Sequence, residues 1–331
     1  NMKQQDYTII KVITTILVVI AHITRFYSMG GGAIKMEYNF LLHYITLFVY
    51  SFHMPLFICV SGAIFSFCIN NKKKYSDFRL FMIKKWKRLM VPYFLVGIFY
   101  VMPVMCALKI TKLNPINYIK ENIILSKDAR HLWFLWTLFF IFIIFRMFYH
   151  RYEKSNRLFI GVLLFFISFF SDKLPNIFQL QGIGYYLFFF CLGYEFDRNK
   201  KKIDEFLGNR KWIVILGWIF ISFVVLYTYN RALNLITAVI GMLCLYQYIR
   251  ITKKYIIQIK IYKWIERDSF GIYLFHPMII YVLFYWVKKF GFGLKYLIIV
   301  CVMIFVITMI ASMLFVKIIR WTKYGKLIIG E

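Results

Sequence analysis

Long apolar runs alternate with short polar and basic segments along the chain. They predict ten membrane-spanning helices, at about 8–27, 40–68, 89–108, 132–149, 157–171, 182–196, 211–229, 232–249, 269–287 and 294–316. About 20 helical residues cross the roughly 30 Å hydrocarbon core of a bilayer. The second run is much longer, which predicts a helix that is tilted, broken or partly outside the bilayer. The pattern predicts an all-α, polytopic membrane protein with about ten transmembrane helices around a central polar cavity.

The first apolar run contains two ionisable residues, Lys11 and His22. Eleven residues return an α-helix to within roughly 20° of the same face, so the two share one stripe, about 16 Å apart along the axis. A lysine near the end of a membrane helix can extend its charge to the interface. A histidine well inside must face protein or water. His22 is either a packed, hydrogen-bonded residue or a functional one, and both interpretations stay open at this point.

Two further histidines lie beside prolines. His53 precedes Pro55 in the second run, and His276 is followed directly by Pro277 in the ninth. Proline removes a helical hydrogen bond and favours a kink. The two positions therefore predict two kinked helices around a polar cavity, with two unrelated kinks as the alternative. His131 stands at the start of the fourth predicted span.

Composition supports a membrane location. The 331 residues are 61% hydrophobic, whereas soluble domains are roughly half apolar. Their mean hydropathy is +0.67. The net charge of +28 does not indicate nucleic-acid binding, because the Lys and Arg residues lie mainly in short loops between apolar runs. The loops that follow even-numbered spans are the more basic ones. The positive-inside rule therefore predicts that both termini are cytoplasmic.

Several kinds of site find no support in the sequence. The six cysteines are scattered without a C-x-x-C pair, and the histidines lack the spacing and acidic partners of a metal site. No phosphate-binding glycine loop or Ser-His-Asp pattern occurs. The basic segment from Lys84 to Arg88 can anchor the third span on anionic lipid. Combined with Lys11, it can instead bind a phosphate-bearing cytosolic molecule.

Six short motifs together resemble the membrane-bound acyltransferase 3 family, and they occur in order along the whole chain. They are Lys11…His22, Phe52-His53-Met54-Pro55-Leu56-Phe57…Ser61-Gly62, Arg88-Leu89-x-x-Pro92-Tyr93, His131-Leu132-Trp133-Phe134-Leu135, Leu192-Gly193 and Ser269-x-Gly271-Ile272-Tyr273-Leu274-x-His276-Pro277. The chain is most similar to the branch of fucose 4-O-acetylase-like sugar O-acetyltransferases. Lys11 departs from the arginine of many members, which keeps the charge but loses the two-pronged guanidinium.

This resemblance implies an enzyme of the bacterial cytoplasmic membrane that moves an acetyl or other acyl group from cytosolic acyl-CoA to a hydroxyl of a cell-surface or lipid-linked glycan. Acetyl-CoA would be the donor substrate, and no metal is expected. Some members carry a fused extracytoplasmic domain, whereas residues 1–331 are expected to form a single membrane domain without one. The chain would then complete the transfer itself or with separate glycan-synthesis machinery. The alternative is a transporter or flippase for a polysaccharide precursor.

The resemblance and the residue pattern together suggest roles for individual side chains. His22 would act as general base or transient acyl carrier, with His53 assisting it. The expected donor-binding cations are Lys11, Lys84, Lys85 and Arg88. The expected acceptor-binding residues are His131, Trp133, Tyr273 and His276.

Overall fold

The computed structural model describes residues 2–331 except 30, 32–33, 71–74, 76, 209, 228–229 and 292–295. Its α-helices are α1 (Met2–Thr24), α2 (Phe40–Tyr50), α3 (His53–Asn70), α4 (Phe78–Lys85), α5 (Val91–Val96), α6 (Met102–Ala107), α7 (Pro115–Tyr118), α8 (Trp133–Lys154), α9 (Arg157–Phe170), α10 (Leu180–Arg198), α11 (Lys200–Leu207), α12 (Trp212–Tyr227), α13 (Arg231–Ile256), α14 (Lys260–Phe290), α15 (Leu297–Trp321) and α16 (Gly325–Ile328). No β-strand occurs among the described residues, so the all-α class is confirmed.

Seven helical segments are long and apolar enough to cross a membrane. They are Gln5–Tyr27, Phe40–Asn70, Phe78–Ala107, Arg130–Lys154, Arg231–Ile256, Lys260–Phe290 and Leu297–Trp321. The sharply bent pair α11 and α12 gives an eighth if it is counted as one span. The predicted fifth span is the 14-residue α9, and the sixth lies in α10. A multi-pass helical protein is therefore shown, while the count of ten spans, the central cavity and the cytoplasmic termini stay predictions.

The long second span is broken at its middle. Helix α2 ends at Tyr50, a turn covers Ser51 and Phe52, and α3 begins at His53. Pro55 falls in the first turn of α3, where the missing N–H has no helical partner to lose. The break gives His53 a position at the start of a new helix, inside the bundle.

The third span changes its winding twice. Wide π-helical turns cover Trp86–Met90 and Gly97–Val101, directly before the helices that contain Pro92 and Pro103 in their first turns. A proline cannot donate to the preceding turn and its ring crowds the carbonyl four residues earlier. A π turn accommodates that by adding a residue to the turn, and such turns recur at functional sites.

Helices α3 and α10 approach each other closely at two glycines. A Cβ atom added to Gly62 would lie 2.1 Å from the Phe190 carbonyl oxygen, and one added to Gly193 would lie 1.9 Å from that of Cys59. No real Cβ tolerates such distances, so the two glycines allow the helices to touch. Both belong to motifs that the sequence analysis singled out.

Substituting either glycine by alanine is expected to force the two helices apart and to lower the thermal unfolding midpoint of the purified protein. The cost should match that of overpacking a core, about 1–3 kcal/mol. Gly161 in α9 supplies the matched control, because a Cβ there meets nothing within 4 Å. Gly161→Ala should leave the midpoint unchanged or raise it slightly. Equal behaviour of all three variants would contradict this packing explanation.

Candidate active site

Four spans bring their histidines and tyrosines into one cluster. The ring centroids of His22 on α1 and His276 on α14 lie 5.1 Å apart, in an edge-to-face arrangement at 78°. The His131 ring, just before α8, lies 6.1 Å from that of His276. The Tyr50 ring lies 6.3 Å from His22 and 4.9 Å from His53, so it stands between them. The residues in this group are called the histidine cluster below.

Three of the four histidines are fixed by backbone carbonyls. The Nδ1 atoms of His53 and His276 lie 2.8 Å from the carbonyl oxygens of Val49 and Ile272, one turn earlier in their own helical segments. The Nε2 atom of His131 lies 3.0 Å from the Leu274 carbonyl oxygen. A carbonyl oxygen only accepts, so each of these nitrogens carries its hydrogen, and in the neutral ring the other nitrogen is an acceptor.

His22 differs from the other three in its surroundings. His53, His131 and His276 are 1%, 7% and 0% exposed, whereas His22 is only half-buried. His22 is therefore the most exposed histidine of the cluster. A partly exposed imidazole with fixed neighbours is suited to exchange a proton with a bound molecule, which is the requirement for a general base.

Tyr273 ties the cluster together. Its hydroxyl donates a hydrogen bond to the backbone carbonyl of His131, and its ring lies 5.7 Å from the His131 ring and 6.4 Å from that of His276. Arg130, directly before His131, adopts a left-handed conformation with φ of 51°. Strained backbone of this kind persists only where the surroundings hold it. The left-handed Arg130 backbone and the hydrogen bond from Tyr273 together fix the backbone position of His131.

Tyr273 also lines a cavity of about 150 Å³. The lining includes the cations Lys11, Lys85 and Arg88, and no Asp or Glu among the described residues lines this cavity. Thr15, one turn after Lys11, lines the same cavity, and His22 follows Thr15 by seven residues on the same face of α1. Three cations without a described carboxylate in the lining are suited to bind an anion.

Lys85 is held in that cavity by aromatic rings. Its Nζ atom lies 3.5 Å from the centre of the Phe142 ring, 5.3 Å from that of Tyr75 and 5.5 Å from that of Phe81. The negative faces of aromatic rings attract a cation without neutralising its charge. The arrangement, called the aromatic cage below, fixes the ammonium group and leaves it available to an anion.

Comparison with known families identifies the class of protein. The model of the acyltransferase 3 family, described as an acyltransferase domain, matches residues 5–316. The chain belongs to the acyltransferase 3 family. The match includes all the candidate site residues and covers nearly the whole chain, so this is a membrane acyltransferase. No curated protein and no solved structure matches the chain. The sugar O-acetyltransferase branch stays a prediction.

The residues predicted for the site of the acyltransferase do not all lie together in the structure. The Lys84 side chain is exposed and does not line the cavity, unlike its neighbour Lys85. The Trp133 ring stacks on Tyr186 of α10, with centroids 5.2 Å apart and an interplanar angle of 25°. It therefore faces a different helix from the one that carries His276. Three of the predicted cations line the cavity, namely Lys11, Lys85 and Arg88. The histidine cluster contains the predicted residues His22, His53, His131 and His276, and Tyr273 contacts it.

Two groups of residues at the site were not predicted from the sequence. Tyr50 stands between the two histidines, and its position three residues before His53 was the one available signal. The aromatic cage draws its members from α4, from α8 and from the segment between α3 and α4, so no local pattern indicates it.

The segment 109–130 contains five Lys and Arg residues, and acidic neighbours pair with two of them. Lys127 forms an ion pair with Glu121 at 2.5 Å, and Arg130 lies 3.6 Å from Asp128. The hydrogen bond from the Lys127 ammonium lowers the pKa of the Glu121 carboxyl.

Proposed function

We propose that this membrane acyltransferase transfers an acetyl or other acyl group from cytosolic acyl-CoA to a hydroxyl of a cell-surface or lipid-linked glycan, in the cytoplasmic membrane of a bacterium. One observation carries the proposal. Tyr273 lines a cavity that contains three cations and no described carboxylate, and its ring also contacts His276 of the histidine cluster. An anionic donor can thus bind at one end while its reactive group reaches the other.

The donor end of the proposal rests on charge and length. Coenzyme A carries its phosphates at one end and its thioester at the other. Lys11, Lys85 and Arg88 would bind the phosphates, with Lys84 at the exposed rim. The flexible arm would then follow the α1 wall from Lys11 to His22, a distance of about 16 Å. Donor and catalytic group are thereby aligned by one helix.

The transfer step uses His22. Its imidazole takes the proton of the acceptor hydroxyl as the oxygen attacks the thioester carbonyl; the C–S bond breaks, and the departing thiolate takes the proton from the imidazolium. Alternatively, the His22 nitrogen attacks first and the acceptor then displaces the acyl group from the imidazole. The Tyr50 ring, which also contacts His53, would hold the His22 ring in place. His131, Trp133, Tyr273 and His276 would form the acceptor side.

Purified protein in lipid nanodiscs is expected to release free CoA from acetyl-CoA. Extracted membrane glycolipid should raise that rate about tenfold or more, because a bound, oriented hydroxyl reacts faster than water. The measurements are CoA release and label transfer from [¹⁴C]acetyl-CoA to the glycolipid. Heat-inactivated protein provides the background. No CoA release with any glycolipid fraction, from protein that retains its helical circular dichroism, would favour the transporter or flippase alternative.

A further inference from the structure

Two nitrogen atoms in the histidine cluster have no partner. His131 Nδ1 and His276 Nε2 are buried and accept no hydrogen bond from any described residue. Each belongs to a ring whose other nitrogen already donates to a carbonyl, so in the neutral ring both are acceptors with a free lone pair. Buried polar atoms without a partner cost about 1–3 kcal/mol each. Two such atoms in adjacent rings are therefore placed to accept hydrogen bonds from a bound molecule.

The neighbouring side chains limit the chemical class of molecule that could bind there. The described residues contain no group of three His, Cys, Asp or Glu side chains that could hold a metal ion. The Tyr273 hydroxyl is already used, since it donates to the His131 carbonyl, and the buried Tyr50 hydroxyl donates to neither nitrogen. The ring centroids of His131 and His276 are 6.1 Å apart, a separation that one molecule with two neighbouring donors can bridge.

We propose that His131 Nδ1 and His276 Nε2 accept hydrogen bonds from two hydroxyl groups on neighbouring carbons of the acceptor. The inference rests on the proposed function and deepens it: the acceptor is a polyol that is held by a diol, not a simple alcohol. The His22 ring lies 5.1 Å from that of His276, so a further hydroxyl of the anchored molecule is presented to His22. The two anchoring histidines are positioning residues, and His22 remains the catalytic one.

Each histidine can be replaced by an amide that keeps the bond to the backbone carbonyl and moves the remaining acceptor, now an amide oxygen, away from the position of the free ring nitrogen. In His131→Gln, the amide nitrogen takes the place of Nε2 and still donates to the Leu274 carbonyl. In His276→Asn, the amide nitrogen takes the place of Nδ1 and still donates to the Ile272 carbonyl. His53→Asn is the matched control, because it preserves the bond to Val49 in the same way at a ring outside the proposed pair.

The test is a binding measurement with ¹⁵N-histidine-labelled protein in nanodiscs. The probes are cis-cyclohexane-1,2-diol and cyclohexanol, which differ by one hydroxyl. The native protein is expected to bind the diol at least about fivefold more tightly, the value of one extra hydrogen bond. The diol should shift two signals of unprotonated ring nitrogens. The preference should fall to about one in His131→Gln and His276→Asn and persist in His53→Asn.

Three results would overturn the proposal. They are a native protein without preference for the diol, unprotonated nitrogens that do not shift, and a preference retained in both acceptor variants. The last would mean that trapped water satisfies the two nitrogens. The native signals provide the test even if one variant fails to fold. Since binding is measured without acyl transfer, failure to release CoA would remove the proposed function and leave this result readable.

Discussion

His22→Ala is expected to reduce acyl transfer by about 10²–10⁴-fold, the usual contribution of a general acid–base group. The His22 ring is the most exposed one in the histidine cluster, and its neighbours His53, His131 and His276 are hydrogen-bonded to backbone carbonyls. None of them is free to rotate into its place without breaking a buried hydrogen bond. Loss of His22 should therefore not be compensated from within the cluster.

The measurement is single-turnover transfer from [¹⁴C]acetyl-CoA in nanodiscs, at protein concentrations matched by circular dichroism. His150→Ala serves as control, because His150 is exposed and lies near the end of α8 opposite to His131. It should transfer at the native rate. Radiolabel that stays on the native protein without acceptor and is released by hydroxylamine would identify His22 as an acyl carrier. A His22→Ala protein as active as the native one would remove His22 from the mechanism.

The relation between Lys11 and His22 could be predicted because it is local. Both lie on one helix, and helical periodicity places them on one face. In the structure, Lys11 lines the cavity and His22 belongs to the cluster. The positions of His53 and His276 beside prolines were likewise visible in the sequence. Their meeting with His22 was expected only as a shared cavity, because the distance between α1, α3 and α14 depends on packing between spans.

Other parts of the site depend on features that sequence periodicity does not contain. Lys84 and Lys85 look alike in the sequence, yet Lys85 alone enters the cavity, where Phe142 of α8 meets it. Trp133 follows His131 closely in the chain but stacks on Tyr186 of α10. In both cases, a contact with a distant helix decides which way the side chain faces.

The second large effect is expected at Lys85. Lys85→Met should lower kcat/KM for acetyl-CoA by about 10–100-fold, the value of a hydrogen bond to a charged group. The aromatic cage offers the ammonium no counter-charge, and none of the described acidic residues lines the cavity, so the charge of Lys85 is available to a donor phosphate. The variant should act through KM more than through kcat, because the cation lies away from the histidine cluster.

A donor without phosphates separates this role from a structural one. Acetyl-pantetheine keeps the thioester and arm of acetyl-CoA but carries no anion, so the native protein should use it poorly. Lys85→Met should use it as well as the native protein does, which would erase most of the native preference for acetyl-CoA. Lys87→Met is the control, since Lys87 is exposed and lies outside the cavity lining, and it should keep the preference. If Lys85→Met lost activity equally with both donors, the lysine would support the fold of the cavity and the donor's charge would bind elsewhere, which leaves Lys11 and Arg88 as the cations to test.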